Sequence, residues 1–161
     1  MQTRSSLPEA PPLSTIRTVL LWVVVLGSAG TMTELLLLGH HESLTQRIPL
    51  VLLTGAVVLG GATAAKPRRG TVRVLQLLMA LMLAGGGLGI GLHYSGNEEF
   101  ELEIYPTMSG MELVSETLTG ATPVLAPGSM SLIGVVGLVF TYRHPRLRAS
   151  QAAGSHQEVQ S

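Results

Sequence analysis

The chain contains no cysteine and no aspartate, and it has a single lysine. The missing thiols exclude disulfides, a cysteine nucleophile and thiolate metal sites. With aspartate absent, every acidic side chain is a glutamate, ten in all. Charged residues of both signs are scarce, at 12% of the chain against roughly 25% in soluble domains. So few charges would leave a soluble domain's surface uncovered, a constraint that a membrane protein does not face. Aromatic residues are only 4%, which leaves little material for an aromatic-lined pocket. Net charge is zero, so the overall balance points to no nucleic-acid partner. At 161 residues the chain holds one domain at most.

What is abundant is apolar and small: hydrophobic residues are 46% of the chain, and there are 19 glycines. Four charge-poor windows stand out against a bilayer core that takes roughly 20 residues of helix to cross. The first runs from about Ile16 to Leu38 and is interrupted by Glu34. The second, "IPLVLLTGAVVLGGATAA", lies between Arg47 and Lys66, and the third, "VLQLLMALMLAGGGLGIGLHY", follows Arg73. The fourth is "APGSMSLIGVVGLVFTY", and like the second it is short. Arg17 and the small residues Ser28, Ala29 and Gly30 imitate a secretory signal, but the apolar run resumes at Leu35–Leu38, so an uncleaved helix is expected.

The expected fold is an all-α integral membrane protein, four transmembrane helices in an antiparallel bundle. Short connections, "GHHESLTQR" and "KPRRGTVR", make the first three helices sequential neighbours. Pro49 is expected in the first turn of the second helix, where a missing N–H does no harm, and Pro67 after its end. The membrane domain covers 15–148, with an outer cap at 95–128 between helices three and four. Residues 1–14 and 149–161, polar and rich in small residues, read as disordered cytoplasmic tails.

Basic residues set the orientation. Arg4, Arg17, Lys66, Arg68, Arg69, Arg73, Arg143, Arg146 and Arg148 gather on one side of the windows, and only Arg47 falls on the other. By the positive-inside rule both termini are cytoplasmic and 95–128 faces outwards. Arginine outnumbers lysine nine to one, a bias associated with GC-rich bacterial genomes, so the expected location is a bacterial cytoplasmic (inner) membrane.

Within the outer segment, "NEEFELEIYP" (97–106) alternates glutamates with Phe100, Leu102 and Ile104, the pattern of a short half-buried strand. Ser109 and Glu112 have capping-box spacing and predict a short helix over about 110–118, with Gly120 as its stop. "TGATPVLAPG" then bends the chain towards the fourth helix and partly enters the bundle, where irregular backbone needs protein or water around it. Glu98, Glu99, Glu101, Glu103, Glu112 and Glu116 form an acidic outer surface, read either as a solvated face or as a docking or cation-collecting surface.

Glu34 is the candidate intramembrane acid. Such residues are costly and mark functional sites by default; this one is expected to be shielded, the alternative being that Leu35–Leu38 tilt into the interface and Glu34 meets water or a protein donor there. A small chain with four apolar windows and a glutamate in the first resembles the small multidrug exporters in those respects alone; their compact loops and aromatic-rich pocket are absent, so their site is not carried over. His40 and His93 fall on the outer side with several glutamates and are weak candidate metal ligands, although no HxxxH or HExxH spacing occurs. Gly85 and Gly89, and Gly87 and Gly91, have GxxxG spacing and are read as helix-packing positions. "GGGLGIG" closes a membrane helix and is no nucleotide loop.

These residues support three readings. The first is a structural or accessory subunit docking a membrane or periplasmic protein, or a second copy of itself, through the acidic cap. The second is cation- or proton-coupled transport through Glu34. The third, an enzyme with its site among His40, His93 and the outer glutamates, ranks last for want of a nucleophile or ligand motif. The lipid bilayer is the one partner the composition requires, and no cofactor is implied.

Overall fold

The computed structural model describes residues 11–39, 42–122, 124 and 126–147; both expected tails largely lie outside them, as do His40 and His41. Among the described residues the helices are, in order, α1 Pro11–Leu37, α2 Leu44–Ala65, α3 Arg69–Ile104, α4 Gly110–Thr119 and α5 Gly128–Thr141. There is no strand among the described residues. α1 begins inside the segment expected to be a tail, because Pro11 and Pro12 lack only the N–H groups that a first helical turn leaves unpaired anyway. Gly39, at φ 66, ends the α1 region in the left-handed conformation that closes helices.

The expected strand is helix. α3 runs on through "NEEFELEI" for 36 residues, about 54 Å at 1.5 Å per residue. No proline lies between Tyr94 and Tyr105, and the glutamates and leucine there are good helix formers that outweigh the single Gly96. A lone strand would also leave its backbone groups unpaired, whereas a helix pairs them locally. The alternation covers too few residues to outweigh that, and α3 stops only before Pro106. Phe100 and Ile104 therefore share a helix side, while Leu102 lies on another.

Pro49 is also displaced from its expected place. It sits inside α2, whose start at Leu44 is fixed by a capping box: the Ser43 hydroxyl accepts from Gln46 N, and the Gln46 side chain accepts from Ser43 N.

α1, α2 and α3 are each long and apolar enough to cross a membrane by length and composition, with 22% of each apolar window buried inside the protein. So much exposed apolar surface suits lipid, and the three helices together indicate a membrane protein. α5 has only 14 residues, about 21 Å of helix. α1 packs on α2 and α5, and α3 packs on α2, α5 and α4. Leu21, Val24, Leu53, Ala56, Leu75, Met79, Met82, Met130, Ile133 and Phe140 form the shared core.

Glycine brings α3 and α5 close. A Cβ at Gly134 would lie 2.7 Å from both Leu83 N and Met79 O, and one at Gly86 would lie 2.7 Å from Pro127 O and Ser131 N. These are backbone atoms that cannot step aside. Across the same contact the Ser131 hydroxyl donates to Leu83 O at 3.1 Å. At the far end of α5 the Arg17 guanidinium, from α1, donates to Phe140 O at 2.7 Å and to Tyr142 O and Arg143 O at longer range. A helix C-terminus presents unpaired carbonyls and a partial negative charge, so a cation there suits both. Arg143 itself, at φ 48, is held in the left-handed region as the chain leaves α5.

Candidate functional site

The acidic end of the molecule consists of the last ten residues of α3, α4 and the 120–127 connection. Its anchor is Asn97, which is 2% exposed. The side-chain amide donates to Thr117 O at 2.9 Å and Thr122 O at 2.8 Å, while its carbonyl oxygen accepts from Thr122 N at 3.1 Å and the Thr122 hydroxyl at 2.6 Å. An asparagine amide has two N–H donors and two good acceptor directions, and all are used. Two carbonyls on one side and two donors on the other also fix which way round the amide lies.

This one residue therefore ties three pieces together: α3, the last turn of α4 and the chain leading to α5. Gly120 makes the approach feasible, since a Cβ there would come within 2.9 Å of Asn97 Cγ. α4 turns Leu113, Val114 and Thr117 inward, at the i, i+1, i+4 spacing of one helix side. The Thr117 hydroxyl is buried with no hydrogen-bond partner. Val124 is 2% exposed, and a Cβ at Gly89 would meet Pro127 Cβ at 2.7 Å, so the chain touches α3 at Gly120 and Thr122, beside Asn97, and again at Pro127, beside Gly86 and Gly89. The Ser109–Glu112 capping box is not formed: Ser109 occupies the N-cap position of α4 without a side-chain hydrogen bond.

The glutamates of the acidic surface lie on more than one side of these helices. Glu99, Glu103, Glu112 and Glu116 are exposed, and Glu98 and Glu101 are half-buried. Ser95, Glu98, Glu99, Leu102 and Glu103 line one open face of α3, at helical spacing. From Glu42 to Glu116 the only cations before Glu98 belong to the opposite end or to Arg47, and none occurs between Glu98 and Glu116.

Glu34 is exposed in the last turn of α1, on the side away from the buried residues Leu21, Val24, Val25 and Ser28. His93 is half-buried on α3. Its proposed companion His40 lies outside the described residues, among which no group of three potential metal-binding side chains is brought together. Of the glycines singled out for packing, Gly85 and Gly89 face neighbouring side chains, whereas Gly87 and Gly91 have nothing within 4 Å.

The sequence reading missed the structural roles of two residues, Asn97 and Arg17. Asn97 had a signal. Carried past Tyr94, the helical spacing of Met79, Met82 and Gly86 places position 97 on the same buried side. A polar residue there needs partners. The chain matches no protein-family model, no curated protein and no solved structure.

Proposed function

We propose that the chain is a small multi-pass protein of a bacterial inner membrane that works as an accessory subunit, docking a basic partner through its acidic cap. In this reading α5 and the 120–127 connection together complete a fourth crossing, and the cap faces outwards. The observation that carries the proposal is the Asn97 anchor. A cap that was only a solvated loop would have no need of a saturated, buried hydrogen-bond node to fix its acidic helices to the membrane domain. A preorganised surface of one charge favours association with a complementary one and raises encounter rates.

Glu34 lies outside the interhelix packing, so transport through it ranks behind docking. The docking reading is tested by purifying the full chain in mild detergent beside a variant with Glu98, Glu99, Glu101, Glu103, Glu112 and Glu116 changed to Gln. A companion retained by the wild type at low salt, released at high salt and absent from the variant supports docking. The same companions on both proteins would overturn it.

A further inference from the structure

The opposite end of the molecule carries a second surface with a different chemistry. Lys66 caps α2, Arg68 precedes α3, and Arg69 and Arg73 lie on its first two turns. All four side chains are exposed. Arg69 and Arg73 are four residues apart and so lie on one side of α3, rotated away from the side that buries Val72 and Leu75. No glutamate occurs anywhere between Glu42 and Glu98, so α2 and the first half of α3 carry no carboxylate.

Directly below Arg73 along the same helix begins an apolar track. Val74, Leu77 and Leu81 are 50%, 59% and 58% exposed, at spacings of three and four that keep them in one row. The surface is thus itself amphiphilic: a cationic cluster at the helix end with a row of exposed apolar side chains running away from it. Inorganic phosphate would use only the first part. A molecule with an anionic head and an acyl tail would use both.

We infer that the α2–α3 corner is a binding site for an anionic phospholipid, its phosphate among Lys66, Arg68, Arg69 and Arg73 and an acyl chain along Val74, Leu77 and Leu81. Arginine presents a planar fork suited to phosphate oxygens, and basic residues beside a helix end draw anionic headgroups electrostatically. The site is independent of the acidic cap and of any partner bound there.

The test uses the full chain in nanodiscs of phosphatidylcholine containing spin-labelled phosphatidylglycerol or spin-labelled phosphatidylcholine. The motionally restricted fraction reads the lipid at the protein surface. Phosphatidylglycerol is expected to be enriched over phosphatidylcholine. That preference should fall roughly two- to fivefold in Lys66→Gln/Arg68→Gln and again in Arg73→Gln, with helix content by circular dichroism unchanged. Arg47→Gln, at the other end, should leave it intact. A second arm adds inorganic phosphate to wild-type protein in phosphatidylcholine discs with a trace of phosphatidylglycerol. Persistence of the preference at moderate phosphate supports a lipid site. Equal restriction of both lipids, an unchanged preference in both corner variants, or its abolition by millimolar phosphate would each overturn the assignment.

Discussion

Arg17 and Asn97 perform the same task at opposite ends of the molecule, and they do it with different chemistry. Each reaches from one helix to backbone groups beyond another, Arg17 to the carbonyls ending α5 and Asn97 to those around the end of α4. Arg17 is half-buried and carries a charge; Asn97 is almost wholly enclosed and neutral. Enclosure explains the difference. A charge taken fully out of water costs several kcal/mol unless it is paired, whereas a neutral amide with every hydrogen bond satisfied costs little. Near an aqueous edge the cation is tolerable, and it gains from the helix C-terminus. The two ends have thus solved one topological problem, tying down a returning chain, under two dielectric regimes.

The comparison breaks most sharply at Asn97. Asn97→Asp replaces two donors by acceptors facing Thr117 O and Thr122 O, and is expected to cost the cap more than about 3 kcal/mol. Asn97→Ala should cost about 2–3 kcal/mol by leaving those carbonyls unpaired. Both should make 105–122 cleavable by protease in detergent while the helices stay protected. Wild-type resistance in Asn97→Asp would show that packing, not the amide, holds the cap.

Next in size is the glycine contact that both anchors serve. Gly86→Val should lower stability by about 2–3 kcal/mol through overpacking against the backbone of α5, read as a fall in the thermal midpoint. Gly87→Val, one residue on and open, should stay within about 0.5 kcal/mol. If the two behave alike, α3 and α5 do not approach as closely as described.

Arg17→Ala should cost about 1–2 kcal/mol, less than the change at Asn97 because water can reach the freed carbonyls. Arg17→Lys should recover part of this, a single ammonium replacing a fork. Equal losses at Arg17 and Asn97 would erase the distinction between the two regimes. The smallest effects belong to the cap surface: Phe100→Asp, at a side chain 47% exposed, should cost under about 1 kcal/mol, and Glu101→Gln less. Protease opening of the cap by Phe100→Asp alone would mean that Phe100 contributes far more than its exposure suggests.

Much of this architecture was legible in the chain. Charge-poor windows placed α1, α2 and α3, Pro67 stopped α2, and the small helix at 110–119 was expected within a residue. What misled was a local pattern read without its energetic context. Alternation in "NEEFELEI" fits a strand over a few residues, but a strand needs a partner and the sequence offers none nearby. The capping motif at Ser109–Glu112 was plausible by spacing and does not form, while the one at Ser43–Gln46 forms and was overlooked. Which side of α1 Glu34 faces depends on helix phase, and its neighbours in the sequence left that open. Long-range partners such as Arg17 with Phe140, 123 residues apart, leave no trace in local spacing.

The glycines at 85, 86, 87, 89 and 91 also have a mechanical consequence. Each costs a helix roughly 0.5–1 kcal/mol relative to alanine. At Gly85, Gly86 and Gly89 close neighbours return that cost as contact, while Gly87 and Gly91 face open space. Left alone, the middle of α3 would be the weakest part of a long rod; it is braced where α5 and Pro127 press against Gly85, Gly86 and Gly89.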